Sequence, residues 1–343
     1  MLMNGLGGDL LPEDVRRKKL AGNLLLMGSN TSQKFIIAVD TRTMDFVDLN
    51  TQLGINAGVE FDFTEEVEID GKTYIYFNIT GKGIYALDVT GVTDTTVVTD
   101  NVKIRLAHAD LTGWVNPKPL RCGKHSIVEL DDPQFPGKSI VTYYVSDGMP
   151  RLYNLQTGET KICLDMVDAN YGTAIQARPL VNDGNGNLYI GAFNTPKCAV
   201  YDTRTGELTN FESNSAQTDA FTFLDGVTYT GNYNNASITR INPDGENEQL
   251  LEMKSGYNQA RVHAMTAGGG KVFAGTTPYT GYGGCFAWVD VANGDATVVK
   301  ENFIENQSIN SLTYHDGVVF GTTYTSGGSG SGSMEGLSAV LFA

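Results

Sequence analysis

The chain has 343 residues, with 24 basic against 39 acidic side chains and a formal net charge of −15 at pH 7. That balance sets net repulsion against a phosphate backbone and argues against sequence-independent nucleic-acid binding. Only 18% of residues are charged, and 40 glycines accompany 16 tyrosines and 15 phenylalanines, a composition suited to strands and tight turns and ill suited to long disorder or helical bundles.

At the N-terminus, the stretch MLMNGLGGDLLPEDVRRKKLAG places Arg16, Arg17, Lys18 and Lys19 after its short apolar pieces, the reverse of a secretory signal. Pro12 suits an early helical turn and Gly22 a C-terminal cap, so the spacing predicts a short helix from Pro12 to about Leu20. Residues 1–22 are therefore read as a docking and closure segment ahead of a domain over residues 23–343. No apolar run approaches the roughly 18 to 20 residues of a membrane span, and no membrane insertion is expected.

From Gly22 onward one pattern recurs seven times: a strand introduced by Gly, a second strand, and a turn. The leading strands are GNLLLMGS, GKTYIYFN, GKSIVTYY, GNLYIGAF, GVTYTGNY, GKVFAGTT and GVVFGTTY, opening at Gly22, Gly71, Gly137, Gly186, Gly226, Gly270 and Gly317. Partner strands such as CAVYDTRTGEL from Cys198 end in Asp or Asn followed by a T-x-T-G or P-D-G turn, where Gly supplies positive φ and the Asx side chain bonds its own backbone. A further strand precedes most of these glycines: WVNPKPLRC at 114–122, TAIQARPL at 173–180, TDAFTFLD at 218–225, ARVHAMTA at 260–267 and SINSLTYH at 308–315. In the first repeat the Pro12 helix takes that place. The last repeat stops short of a fourth strand at Ala343, so MLMNGL is expected to pair there and close a ring.

About four short strands per unit, repeated at this period, is the spacing of propeller blades, none of which buries both sheet faces until stacked on its neighbours. The fold class is accordingly all-β, a seven-bladed β-propeller with a short N-terminal helical segment. The G-x-[LV]-[YF]-x-G strand and the V-[YW]-D-x-x-T-G turn resemble those of bacterial and viral propellers of the kelch-like and WD-like superfamily, over roughly residues 22–343. No G-H…W-D pairs recur, which departs from the eukaryotic WD-repeat pattern. The resemblance implies a fold and leaves binding, scaffolding and catalysis open.

Neither a nucleophile elbow, a P-loop nor a zincin motif appears, and His108, His125, His263 and His315 lack metal-like spacing. No catalytic residue, cofactor or metal is assigned. Cys122, Cys163, Cys198 and Cys285 lie far apart and read as reduced, buried small residues. Asp183-Gly184-Asn185-Gly186-Asn187 has oxygen donors at alternate positions but lacks the rest of a calcium loop, and reads as a hairpin turn. His315 reads as a solvated turn residue, and Ser326–Ser333 as a flexible, linker-like loop.

The inner strands bring polar residues to one mouth of the channel: Trp114, Arg121, Gln176, Arg178, Asp219, Arg261, His263 and Asn310. Guanidinium forks and aromatic faces in a concave mouth suit an anionic or sugar ligand, the alternative being side chains that bond backbone amides and water. The segment DLLPEDVRRKKLAGNLLLMGS resembles short motifs of phage tail and fibre proteins. The reading preferred is a non-enzymatic binding or scaffold propeller, a phage virion structural protein that contacts a host surface or glycan and docks to other virion proteins through its N-terminal segment. A bacterial polysaccharide-processing enzyme and a bacterial protein-interaction module are the alternatives. The expected location is the virion, with the bacterial cytoplasm or secretion as alternatives.

Overall fold

The computed structural model describes residues 24–28, 36–40, 46–50, 64, 66–79, 83–91, 103–108, 127–143, 150–162, 177–213, 217–242 and 246–343. Residues 1–22 lie outside these, and with them the expected Pro12 helix, the MLMNGL closure strand and the docking segment.

Seven antiparallel meanders follow one another along the described chain. The first consists of β1 (Leu24–Gly28), β2 (Ile36–Asp40) and β3 (Phe46–Asp48), paired in that order. The second orders β4 (Val67–Ile69), β5 (Lys72–Ile79), β6 (Gly83–Asp88) and β7 (Lys103–His108). The third orders β8 (Ile127–Glu129), β9 (Lys138–Tyr143), β10 (Pro150–Asn154) and β11 (Thr160–Ile162). The fourth comprises β12 (Ala177–Asn182), β13 (Asn187–Ala192), β14 (Lys197–Asp202) and β15 (Leu208–Glu212).

The fifth meander, β16 (Gln217–Leu224), β17 (Val227–Tyr233), β18 (Ser237–Ile241) and β19 (Asn247–Glu252), is followed by a one-turn helix α1 (Lys254–Tyr257). The sixth consists of β20 (Gln259–Gly268), β21 (Lys271–Pro278), β22 (Phe286–Asp290) and β23 (Ala296–Lys300). A single pair, Tyr233 opposite Arg261, joins these two into one eight-stranded sheet. The seventh is β24 (Ser308–His315), β25 (Val318–Tyr324) and the two-residue β26 (Leu341–Phe342).

Local chemistry explains the strand ends. The first hairpins of the second, fifth, sixth and seventh meanders turn through Asp70-Gly71, Asp225-Gly226, Gly269-Gly270 and Asp316-Gly317, with φ positive at both residues of each turn. This is the two-residue turn whose twist matches the flanking strands, and Asp and Gly tolerate it. His315 is thereby the last, exposed residue of β24, opposite Val318. The third-to-fourth strand turns follow the predicted Asx chemistry: Asn154 Oδ1 accepts from the amides of Gln156 and Thr157 at 3.0 and 2.8 Å. Asp202 Oδ1 likewise accepts from the amides of Arg204 and Thr205. At Asp183 the carboxylate accepts from the Asn185 and Asn187 amides and from Asn187 Nδ2 at 2.7 to 3.1 Å, which makes the segment a hairpin turn.

The chain divides into two compact units, and the division runs through the fourth meander. In the unit that holds the second and third meanders, Val67, Tyr74, Tyr76 and Ala86 pack with Ile140 and Tyr153 in one cluster. In the unit that holds the fifth to seventh meanders, Tyr229, Ile238 and Met253 pack with Val262, Val272, Ala274, Ala287 and Val289. In this second unit the ring planes of Phe273 and Tyr314 stack at 18°, joining the sixth meander to the seventh. Each core is thus shared by successive sheets, as the repeat reading requires, because a single four-stranded sheet leaves an apolar face uncovered.

The strand beside β9 is β8, with Ile127 opposite Ile140, so Ile127–Glu129 takes the place next to β9, where WVNPKPLRC at 114–122 was expected; that segment itself lies outside the described residues. The second meander has an inner strand of its own, β4, that the sequence reading omitted. Both strands are three residues long, too short for alternation to mark them.

Candidate functional site

Within the unit built from the fifth to seventh meanders, the inner strands β16, β20 and β24 lie side by side. Each of the three starts at or just after a buried glutamine: Gln217, Gln259 and Gln307. Gln259 Oε1 accepts from Thr276 Oγ1 at 2.5 Å, and the Cys285 amide donates to the same hydroxyl at 2.7 Å. One repeat later Gln307 accepts from Thr323 Oγ1, to which the Val340 amide donates at 2.7 Å. The fifth meander uses Asn232 instead, which accepts from Thr218 Oγ1 and donates to Ser237 and Thr239 Oγ atoms at 3.1 Å each. These buried polar ties fix the strand ends because leaving any member unbonded away from water costs about 1–3 kcal/mol.

Just beyond each tie the ladder slips by one residue. The register breaks between Thr218 and Ala220, between Val262 and Ala264, and between Ile309 and Ser311. The residues left over are Asp219, His263 and Asn310. Their neighbours on the second strand, Asn232–Gly231, Thr276–Gly275 and Thr323–Thr322, place all three at the same point of the repeat. A β-bulge at a fixed point bends the strand and re-aims one side chain, here the same one in three successive blades. A second bulge at Ala260 sets Arg261 opposite Thr277.

The side chains meet across the strands. Arg261 Nη1 lies 3.3 Å from Asp219 Oδ2, with the carboxylate 6% and the arginine 24% exposed. Gln217 Nε2 donates to the other carboxylate oxygen, and Gln217 Oε1 accepts from the Asn194 amide at 2.9 Å. The guanidinium also sits 4.5 Å from the centre of the Tyr233 ring, a cation–π distance. His263 faces Tyr324, ring centres 5.8 Å apart, and the Tyr324 hydroxyl bonds Thr277 Oγ1. Asn310 is exposed.

The expected mouth is therefore assembled in part. Asp219 and Arg261 form its ion pair, His263 lies two residues along the same strand, and Asn310 repeats the His263 position on the next blade. Trp114, Arg121 and Gln176 lie outside the described residues, and of Arg178 only its place in β12 is described. The sequence reading missed Gln217, Tyr233, Thr277 and Tyr324. Its available signals were the Gln at the head of AQTD, NQAR and NQSI and the Tyr that closes β17 and β25.

Chemically the arrangement corrects one expectation. Arg261 is not an unmet positive charge waiting for an acidic ligand, since Asp219 and the face of Tyr233 already hold it. What the mouth offers is a fixed array of polar edges and aromatic faces with its charge balanced internally. Buried thiols nearby are inert: burial pushes Cys198 up to about 12 and Cys285 to about 11, far from thiolate at neutral pH.

No protein-family model matches the chain, and no curated protein matches it. Among solved structures, the RRP9 WD40 repeats share 11% identity with a TM-score of 0.60, covering 93% of this chain and 90% of that one. The Cps50 (Swd1) β-propeller domain of Myceliophteria thermophila shares 12% identity at a TM-score of 0.55, covering 90% of each chain. A chain of a mitotic checkpoint complex shares 9% identity at 0.52, over 89% of this chain and 86% of that one. At such identities the likeness is one of fold, and it reaches WD40 propellers although this sequence carries no G-H…W-D pairs. Seven sequential meanders, cores shared between successive sheets and these neighbours together make the chain an all-β propeller.

Proposed function

We propose that the chain is a non-enzymatic binding scaffold whose working face is the end of the sheets where β16, β20 and β24 begin. The observation that carries this reading is the triple bulge. Strand pairing alone does not require an extra residue at one point in three successive repeats, and the bulges set His263 and Asn310 along one edge with the enclosed Asp219–Arg261 pair beside them. The internal ion pair supports a preformed, rigid surface, which loses little side-chain entropy on binding. That a structural neighbour belongs to a checkpoint complex supports an assembly role.

The finer reading is a virion component that contacts a host surface or glycan and docks through residues 1–22. Its support is the sequence resemblance of the N-terminal segment. Two measurements test these readings separately. If the gene lies in a phage genome, mass spectrometry of that phage's purified virions should find the chain, and either a gene outside any phage genome or absence from the virions would remove the virion reading. Hydrogen exchange with and without a purified partner should show protection at residues 217–220, 259–264 and 308–311. Protection confined to the opposite turns, Asp225-Gly226, Gly269-Gly270 and Asp316-Gly317, would sink the working-face assignment.

A further inference from the structure

The Ser326–Ser333 run is built, not loose. Ser326 and Ser333 form a bridge with their hydroxyls 3.0 Å apart, and the Gly327 and Met334 amides close the loop on Gly332 O and Thr325 O. The run then grips the loop between β21 and β22. The Gly328 amide donates to Gly281 O at 2.8 Å and the Ser329 amide to Tyr279 O at 2.9 Å. From the other side the Tyr279 amide donates to Asn258 O at 2.7 Å and Asn258 Nδ2 to Thr280 O at 2.9 Å. A Cβ at Gly327 would collide with Gly281 O and the Tyr282 ring, and one at Gly328 with the carbonyl oxygens of Pro278 and Tyr279. Only glycine allows this approach.

What the bracket holds in place is two exposed aromatic rings, Tyr279 at 44% and Tyr282 at 36%. Tyrosine on immobilised backbone suits a binding surface, since it offers a large amphipathic contact area at small entropic cost. The surroundings select the ligand. No Asp, Glu, Lys or Arg occurs between Lys271 and Asp290 or between Asp316 and Glu335, so both loops are neutral along their whole length. Thr280, Ser329 and Ser333 are exposed and add hydroxyls, and Lys254 approaches the Tyr279 ring at 5.5 Å. Flat rings beside hydroxyls and glycine backbone match the C–H faces and hydroxyl rim of a sugar ring. The two loops themselves carry no charge to pair with an acidic ligand.

We propose that Tyr279 and Tyr282, held by the Gly327-Gly328 bracket, form a platform that binds neutral hexose units of a glycan. The platform stands beside the Arg261 mouth and does not depend on it. The test is an array of neutral, sialylated and uronic glycans probed with the full chain, followed by titration of the best neutral binder. Neutral glycans should bind in preference to acidic ones. The Tyr279→Ala/Tyr282→Ala double variant should weaken binding at least tenfold at unchanged melting temperature, the Tyr→Phe pair should retain most of it, and Gly328→Ala should weaken it several-fold. Binding of no neutral glycan, a preference for acidic glycans, or full affinity in the double alanine variant would each overturn the platform. Binding lost in Arg261→Ala but kept in the tyrosine variant would overturn it while leaving the mouth reading standing.

Discussion

At the scale of single residues, the arginine and carboxylate of the mouth show how burial decides what a polar side chain does. Asp219 is nearly enclosed, and its two oxygens are met by Gln217 and Arg261. Arg261→Ala would remove the counter-charge from a carboxylate in a poorly solvated place. We expect a loss of about 1–3 kcal/mol in urea denaturation, and a smaller loss for the double change with Asp219→Asn, because an amide needs no counter-charge. With Asp219→Asn also measured alone, losses that simply add in the double variant would show that the pair is not coupled. The thiols give a second expectation. Cys198 and Cys285 are 1% and 0% exposed with raised pKa values, so neither should react with a maleimide at pH 8 in the native state. Mass mapping should show both labelled only after denaturation, and rapid native labelling of either would contradict the burial.

At the scale of elements, the glutamine and threonine ties explain how a two-residue edge strand persists. β26 is held to β25 by the Thr323 hydroxyl, which bonds Gln307, the Val340 amide and the Val340 carbonyl. Thr323→Val keeps the shape and removes the hydroxyl, so the buried Gln307 oxygen and the Val340 amide lose their partner. About 1–3 kcal/mol should be lost, with amide exchange rising first at residues 340–342 and not in β16 to β19. Uniformly faster exchange would mean that the tie supports the whole unit. The same scale shows why short strands escaped the sequence reading. β4 and β8 have three residues each and are recognised by what they pair with, whereas β21 and β25 announce themselves by length, apolar content and a preceding Gly.

For the whole molecule, a propeller predicts a far-UV circular dichroism spectrum dominated by strand. Helix above about a quarter of the residues, near the globular average, would contradict the fold. Removal of residues 1–22 tests the closure expectation. If that segment completes the seventh sheet, the truncated chain should keep its β spectrum and lose melting temperature, since repeat stability is a sum of local and nearest-neighbour contributions. An unchanged melting temperature would remove the closure role.

The sequence by itself determined the repeat, the longer strands and the turns, because these follow from local chemistry: a positive-φ pair between strands, an Asx side chain bonding its own backbone, and apolar residues in short runs. It also singled out Asp219, His263 and Asn310 at the start of inner strands, and the three occupy equivalent positions in successive sheets. Only the tertiary structure decided that these are bulge residues, that Arg261 is already neutralised by a carboxylate from the preceding blade, and that a Gly-Ser run resembling a linker is a bracket. All three depend on contacts with other segments, the facing strand for the bulges and more distant chain for the ion pair and the bracket, so neither the local composition of AQTD or NQAR nor that of TSGGSGSGS contains the information.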